Sequence, residues 1–179
     1  WAPSDSGLGA SQIGDLVFQP GNSSIVYAAT DAGLFKSIDN GANWTSLPGT
    51  VPFINKLALD PLNPAIIYAA TNAGVFKSID GGNSFTAMNN GLSTPVRTVA
   101  VNPVTPNILY ATVGGSPYFK SIDGGASWTL NLIPLASRID SITIDPNTPT
   151  TLYAVTNGGI FKSTNSGSNR TQLNTGIPN

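Results

Sequence analysis

Ser78-Ile79-Asp80-Gly81-Gly82-Asn83-Ser84-Phe85 decides the fold, because the chain repeats it. The octet returns as Ser37-Ile38-Asp39-Asn40-Gly41-Ala42-Asn43-Trp44 and as Ser121-Ile122-Asp123-Gly124-Gly125-Ala126-Ser127-Trp128. A worn copy runs Ser163-Thr164-Asn165-Ser166-Gly167-Ser168-Asn169-Arg170. The four serines lie 41, 43 and 42 residues apart, a period that belongs to a repeat architecture. Within the octet, the Asp carboxylate accepts hydrogen bonds from backbone N–H groups one or two residues ahead and tightens a turn. The Gly two residues later permits a positive φ. The Trp or Phe opens the next strand and lays its ring over the turn just left. Three β-hairpins are therefore predicted, closed by Ser37, Asp39, Gly41 and Trp44, by Ser78, Asp80, Gly82 and Phe85, and by Ser121, Asp123, Gly125 and Trp128. A catalytic carboxylate is not needed several times at equal intervals, whereas a turn latch is. These aspartates are read as structural.

Around the octet each unit reads as four short strands. In the second unit they are Lys56-Leu57-Ala58-Leu59, Ile66-Ile67-Tyr68-Ala69-Ala70-Thr71, Val75-Phe76-Lys77-Ser78 and Phe85-Thr86-Ala87-Met88. Proline closes the first strand at Pro20, Pro61, Pro103 and Pro146, since it cannot donate to a ladder. The second and third strands are apolar without clean alternation, as in sheets covered on both faces. Small Ala residues after each Tyr let neighbouring sheets approach. The prediction is an all-β protein, a β-propeller of four-stranded antiparallel blades of about 42 residues. Blades are expected over 13–53, 54–96, 97–138 and 139–179, the last with a degenerate octet. Residues 1–12 are expected to form the outer strand of a preceding blade, because Trp1-Ala2-Pro3-Ser4-Asp5-Ser6-Gly7-Leu8 aligns with Phe85-Thr86-Ala87-Met88-Asn89-Asn90-Gly91-Leu92. That favours a segment of a larger ring, completed by further blades of the same polypeptide or by another chain. A four-bladed ring with a surplus strand is the alternative.

Composition narrows the chemistry. The 179 residues carry a net charge of −1 with 9% charged residues, so no basic stripe exists for nucleic acid. Cys, His and Glu are absent, and all nine acidic residues are Asp. Disulfides, thiolate or imidazole metal ligands and Glu chemistry are thereby excluded, and no metal or cofactor is expected. No apolar run is long enough to span a membrane. A surface rich in Asn, Ser, Thr and Gly and poor in Lys fits a secreted or cell-surface protein. Asn22, Asn43 and Asn169 match the N-glycosylation pattern, which such a composition also yields by chance.

Ser-x-Asp-x-Gly-x-x-Trp resembles the Asp-box, or BNR repeat, of sialidases, sortilin-type receptors, xyloglucanase-type glycoside hydrolases and photosystem II assembly factors. The longer frame, Asp-Pro-x-x-Pro, Ile-Ile-Tyr-Ala and Gly-Val-Phe-Lys-Ser, resembles the tandem Asp-box propellers of secreted bacterial proteins. The resemblance implies a propeller whose boxes sit on the rim, away from any active site. It does not choose among enzyme, receptor and scaffold.

Antiparallel order places the octets and the Asp-Pro loops at one end of each blade. At the other end, just before the first strand, the columns vary: Gly14-Asp15, Asn55-Lys56, Arg97-Thr98 and Asp140-Ser141, with Arg138 nearby. The third unit's loop there gains a residue and carries Tyr118, expected to stack on a sugar or peptide. Asp15, Asn55, Lys56, Arg97, Tyr118, Arg138 and Asp140 are thus the candidate ligand-binding residues. The repeated Lys36, Lys77, Lys120 and Lys162 are read as stems packed along the sheet, with the amine at an edge or near an Asp. A sialidase resemblance implies three arginines and a Glu-activated Tyr. Arg97 and Arg138 fit, but Arg170 falls at the opposite end and Glu is missing. A xyloglucanase resemblance implies an acid/base pair of Asp, for which Asp15 and Asp140 are the pair on the right face. The favoured expectation is a structural or binding propeller that contacts protein or glycan, without nucleic acid or membrane insertion. Part of a glycoside hydrolase is the alternative.

Overall fold

A computed structural model describes residues 4–9, 12–49, 51, 53–115, 117–133 and 138–173. Among these the regular structure is all strand, in four four-stranded antiparallel sheets. The first comprises β1 (Ile13–Gln19), β2 (Asn22–Thr30), β3 (Gly33–Ser37) and β4 (Thr45–Ser46). The second holds β5 (Ile54–Leu59), β6 (Ile67–Thr71), β7 (Gly74–Ser78) and β8 (Thr86–Ala87). The third holds β9 (Val96–Val101), β10 (Leu109–Val113), β11 (Pro117–Ser121) and β12 (Thr129–Leu132). The fourth holds β13 (Ile139–Ile144), β14 (Leu152–Thr156), β15 (Gly159–Ser163) and β16 (Thr171–Gln172). Strand order within each sheet follows chain order, as a propeller blade requires.

Packing runs sheet to sheet through the first strands, β1 on β5, β5 on β9 and β9 on β13. Among the described residues β1 makes no comparable contact with β13, so the four sheets form an open arc. The core lies between sheets. Tyr27, Tyr68 and Tyr110 are each 1% exposed, and Ala28, Ala29, Ala69, Ala70 and Ala111 are fully buried beside them. β6 and β10 are buried at every position, the reason their sequences lack alternation.

The octet hairpins differ in detail from the expected latch. Ser37 Oγ donates to Asp39 Oδ1 at 2.7 Å and accepts from the Gly41 N–H at 2.9 Å. Asp39 Oδ1 then accepts from the N–H of Asn43, four residues ahead rather than one or two. Ser78, Asp80 and Ser84, and Ser121, Asp123 and Ser127, repeat this arrangement. Four residues span the whole turn, so one carboxylate bridges its two arms. Gly41, Gly82, Gly125 and Gly167 have φ of 89°, 95°, 91° and 90°, and the residue before each is also left-handed. The octets are bonded to the loops between first and second strands, through Gly81 N to Ala65 O and Gly124 N to Asn107 O, both 2.9 Å. Both therefore lie at one end of the sheets.

The aromatic lid spans two sheets. The Trp128 ring lies against Gly125, and its Nε1 donates to Met88 O of the preceding sheet's exit at 2.8 Å. Trp44 Nε1 donates to Ser4 O at 2.9 Å, and the Trp44 N–H to Ser6 O as the Trp128 N–H does to Asn90 O. Residues 4–8 thus stand against the first octet as 88–92 stand against the third. The expected outer strand begins at Trp1, outside the described residues.

Gly82 tests the turn. A Cβ there would lie 2.7 Å from Leu34 Cδ2 and Leu47 Cδ1, in a left-handed conformation, whereas one on Gly81 would meet nothing within 4 Å. Gly82→Ala is expected to lower stability by about 2 kcal/mol and Gly81→Ala by about 1 kcal/mol or less, read from urea midpoints.

Candidate functional site

Each first strand carries one residue more than its partner opposes. The ladder shifts between Ile13 and Asp15, Ile54 and Lys56, Val96 and Thr98, and Ile139 and Ser141. The extra residues are Gly14, Asn55, Arg97 and Asp140, the variable column of the sequence. They lie inside the first strands, not ahead of them as expected. A bulge releases its residue from the ladder and re-aims the side chain. Repeated once per sheet, it releases the side chains of Asn55, Arg97 and Asp140 from the ladder into one pocket. In the first sheet the bulge residue is Gly14, because any Cβ there would sit 2.6 Å from Ile54 O.

Four of the seven predicted ligand residues meet in one place. Asn55, Lys56, Arg97 and Asp140, with Thr98 and Pro95, line a polar pocket of about 280 Å³. Asn55 Nδ2 donates to Val96 O at 2.8 Å and Asn72 Oδ1 at 3.2 Å, so that amide is fixed. Asp140 Oδ1 pairs with Arg138 Nε at 2.8 Å, and Oδ2 accepts from Nη2 at 3.3 Å. Arg97 is exposed and, among the described residues, carries no hydrogen bond or ion pair. Gly114 borders Arg97: a methyl group there would touch the guanidinium at an ordinary contact distance, 3.6 Å from Nε.

The remaining predictions resolve differently. Asp15 accepts from Lys56 Nζ at 2.7 Å and from the Leu57 N–H at 3.0 Å, with its side chain 9% exposed. It is a clasp between the first two sheets, while Asp140 lines the pocket. Tyr118 is not a stacking surface: it lies in β11, 2% exposed, in the column of Leu34, Val75 and Ile160. Its hydroxyl donates to Gly167 O at 3.3 Å and accepts from Arg170 Nη2 at 2.9 Å, while the Arg170 guanidinium lies 5.5 Å from its ring centroid. Arg170 has replaced the aromatic lid by covering a larger neighbour, Tyr118. The lysines also differ from the expectation. Lys36, Lys77, Lys120 and Lys162 place Nζ over Tyr27, Tyr68, Tyr110 and Tyr153 at 5.3, 5.3, 5.7 and 5.5 Å. The signal was present, because each Lys pairs directly across the ladder with that Tyr. Of the glycosylation matches, Asn43 already donates its amide to Asp39 Oδ2 at 2.8 Å.

Asp39, Asp80 and Asp123 are held at about 2, below the ordinary 3.8, chiefly by side-chain hydrogen bonds from Asn43, Ser84 and Ser127. Burial, with a smaller contribution from the charge of Asp60, pushes Tyr68 up to about 12.

No family model matches the chain, and no curated protein matches it in sequence. Among solved structures, an ancestral GH74 enzyme superposes with a TM-score of 0.81 at 27% identity, over 97% of this chain and 25% of that one. The GH74 enzyme of Niastella koreensis gives 0.74 at 23% identity, over 88% and 28%. YCF48 bound to D1 peptide gives 0.66 at 17% identity, over 87% and 52%. The chain spans about a quarter of the length of these GH74 enzymes, and the likeness establishes the propeller architecture.

Acid should act through the octets. Their folded values of about 2 lie below 3.8, so the ionised turns contribute stability fully above about pH 4 and lose that contribution as pH falls toward about 2. Replacing Asp39, Asp80 and Asp123 with Asn, as Asn165 already stands in the fourth octet, keeps the Oδ1 acceptor and removes the ionisation. Thermal unfolding of the triple variant is expected to depend less on pH across that window than the parent. Equal slopes would assign the acid sensitivity elsewhere.

Proposed function

We propose that this chain is a structural and binding propeller module of a secreted or cell-surface protein. Its axial face contacts protein or glycan, and its octets serve only as turns, in the manner of Asp-box proteins. The observation that carries the reading is the convergence of three of the four bulge residues, Asn55, Arg97 and Asp140, on one polar pocket, with Arg97 unpaired among the described residues. An unpaired guanidinium suits a carboxylate or a carbonyl-rich ligand, which it grips through two parallel N–H bonds. The four units, over 13–53, 54–96, 97–138 and 139–179, act as one piece of a larger ring. Further blades, from the same polypeptide or another chain, complete it.

The second reading is part of a GH74-like glycoside hydrolase, favoured by the 27% identity to the ancestral enzyme. Against it stands Asp15, whose carboxylate is taken up by Lys56 and the Leu57 amide. An acid/base pair from this chain would need that carboxylate free.

The two readings part on one experiment. The chain is applied to glycan and peptide arrays, and any ligand retained is titrated against Arg97→Ala. The expected loss is about 10- to 100-fold in affinity with unchanged unfolding, as for one charge-assisted contact. Release of sugar from xyloglucan, abolished by Asp140→Ala, would carry the hydrolase reading instead.

A further inference from the structure

The axial pocket carries one charge more than it balances. Lys56 is paired with Asp15 and Arg138 with Asp140, so Arg97 is the one uncompensated cation there among the described residues. Arg97 belongs to the third sheet, and the pocket takes Asn55 from the second and Asp140 from the fourth. Its walls therefore come from inside the arc.

The other groups of the wall accept hydrogen bonds. Both hydrogens of the Asn55 amide are spent, on Val96 O and Asn72 Oδ1, so its own Oδ1 is left as a fixed acceptor. The charge of Asp140 is met by Arg138, yet each carboxylate oxygen takes one bond and has capacity for a second. An ammonium beside Asp140 would find that charge already matched and would be repelled by Arg97. A neutral O–H meets neither obstacle. The wall thus suits one carboxylate with uncharged hydroxyls beside it. At about 280 Å³ the space lies at the small end of ligand sites and takes a single ring.

Phe53 adds an aromatic surface at the rim. It is 58% exposed and has φ of 54°, a left-handed conformation that a bulky side chain seldom enters. Such conformations persist where surrounding structure holds them, and they cluster at ligand sites. Phe53 stands just ahead of Ile54, as Pro95 stands ahead of Val96 and Arg138 ahead of Ile139. Pro95 lines the pocket and Arg138 pairs with Asp140. Two residues separate Phe53 from Asn55, at most about 7 Å along the chain. The stacking surface expected of Tyr118, which is buried, is offered here instead.

We infer that the axial pocket binds an acidic polysaccharide built of uronic acid residues. One uronate ring enters with its carboxylate gripped by parallel N–H groups of Arg97. Its hydroxyls donate to Asn55 Oδ1 and Asp140. The next ring of the polysaccharide lays its C–H face on Phe53. This rests on the binding reading proposed above and names the ligand class. A Glu or Asp side chain of a peptide would satisfy Arg97 equally, but it brings no hydroxyls to the two acceptors.

The test is a titration of the full chain, followed by NMR at the Arg97 Nε–H and the Asn55 side-chain amide. The probes are galacturonate, galactose, acetate, trigalacturonate and a blocked tripeptide with a central glutamate. Galacturonate is expected to bind at least about tenfold more tightly than acetate or galactose, and Arg97→Ala to bring it down to the level of galactose. Trigalacturonate is expected to gain about a further tenfold, and Phe53→Asn to remove that gain. Asn tolerates the left-handed φ, so this variant loses the ring and keeps the backbone, which unchanged unfolding verifies. Acetate bound as tightly as galacturonate would overturn the inference, because the hydroxyls would then contribute nothing. So would a tripeptide bound more tightly than trigalacturonate, a gain that survives Phe53→Asn, or no shift with any probe. Each of these failures leaves the binding reading standing, since that reading fails only if the glycan and peptide arrays also retain nothing.

Discussion

Two consecutive left-handed residues, pinned from beneath by one serine hydroxyl, set the edge of every sheet. The turn buries the glycine N–H, which needs an acceptor, and Ser37, Ser78, Ser121 and Ser163 each accept from it at 2.8–2.9 Å. The turn so formed aims a carbonyl outward toward the preceding sheet, where Tyr68 and Lys77 reach it in the second contact and Tyr110 in the third. One local conformation thereby links hairpin closure to the spacing of sheets. The fourth octet shows what the arrangement tolerates: Asn165 keeps the acceptor, and Ser166 carries the positive φ.

The exchange of Trp for Arg170 follows from the same geometry. The lid sits over whatever the preceding third strand offers. Tyr118, larger than the Leu34 and Val75 of its column, fills the space with its own ring. A planar guanidinium then covers that ring and satisfies its hydroxyl. Drift alone is therefore the poorer account of the fourth octet, because a matching change lies across the interface.

Period, strand order and the shared face of octets and Asp-Pro loops were legible in the sequence, since turn residues and prolines mark every boundary. The axial column was legible as variation against a constant frame. Its cause left only a phase shift: buried Ile54 and Leu57, Val96 and Val99, and Ile139 and Ile142 stand three apart, the odd spacing a bulge puts into a two-residue period, and the reading began each strand after it. Reading Asn55, Arg97 and Asp140 as residues before the strand placed them on the right face for the wrong reason. Tyr118 was misread because the insertion in its loop suggested exposure, while its pairing with Thr112 keeps it in the ladder and under the next octet. Asp15 was read as open to a ligand, yet charge partners are chosen in three dimensions. Lys56, 41 residues on, reaches Asp15 from the neighbouring sheet.

That one serine hydroxyl organises each turn is tested most directly by amide hydrogen exchange, resolved by residue, at Gly41, Gly82, Gly125 and Gly167. All four lie in turns at the rim. Protection comparable to that of the second-strand amides is the predicted result, because each N–H is buried against its serine. Exchange as fast as that of open loops would contradict it.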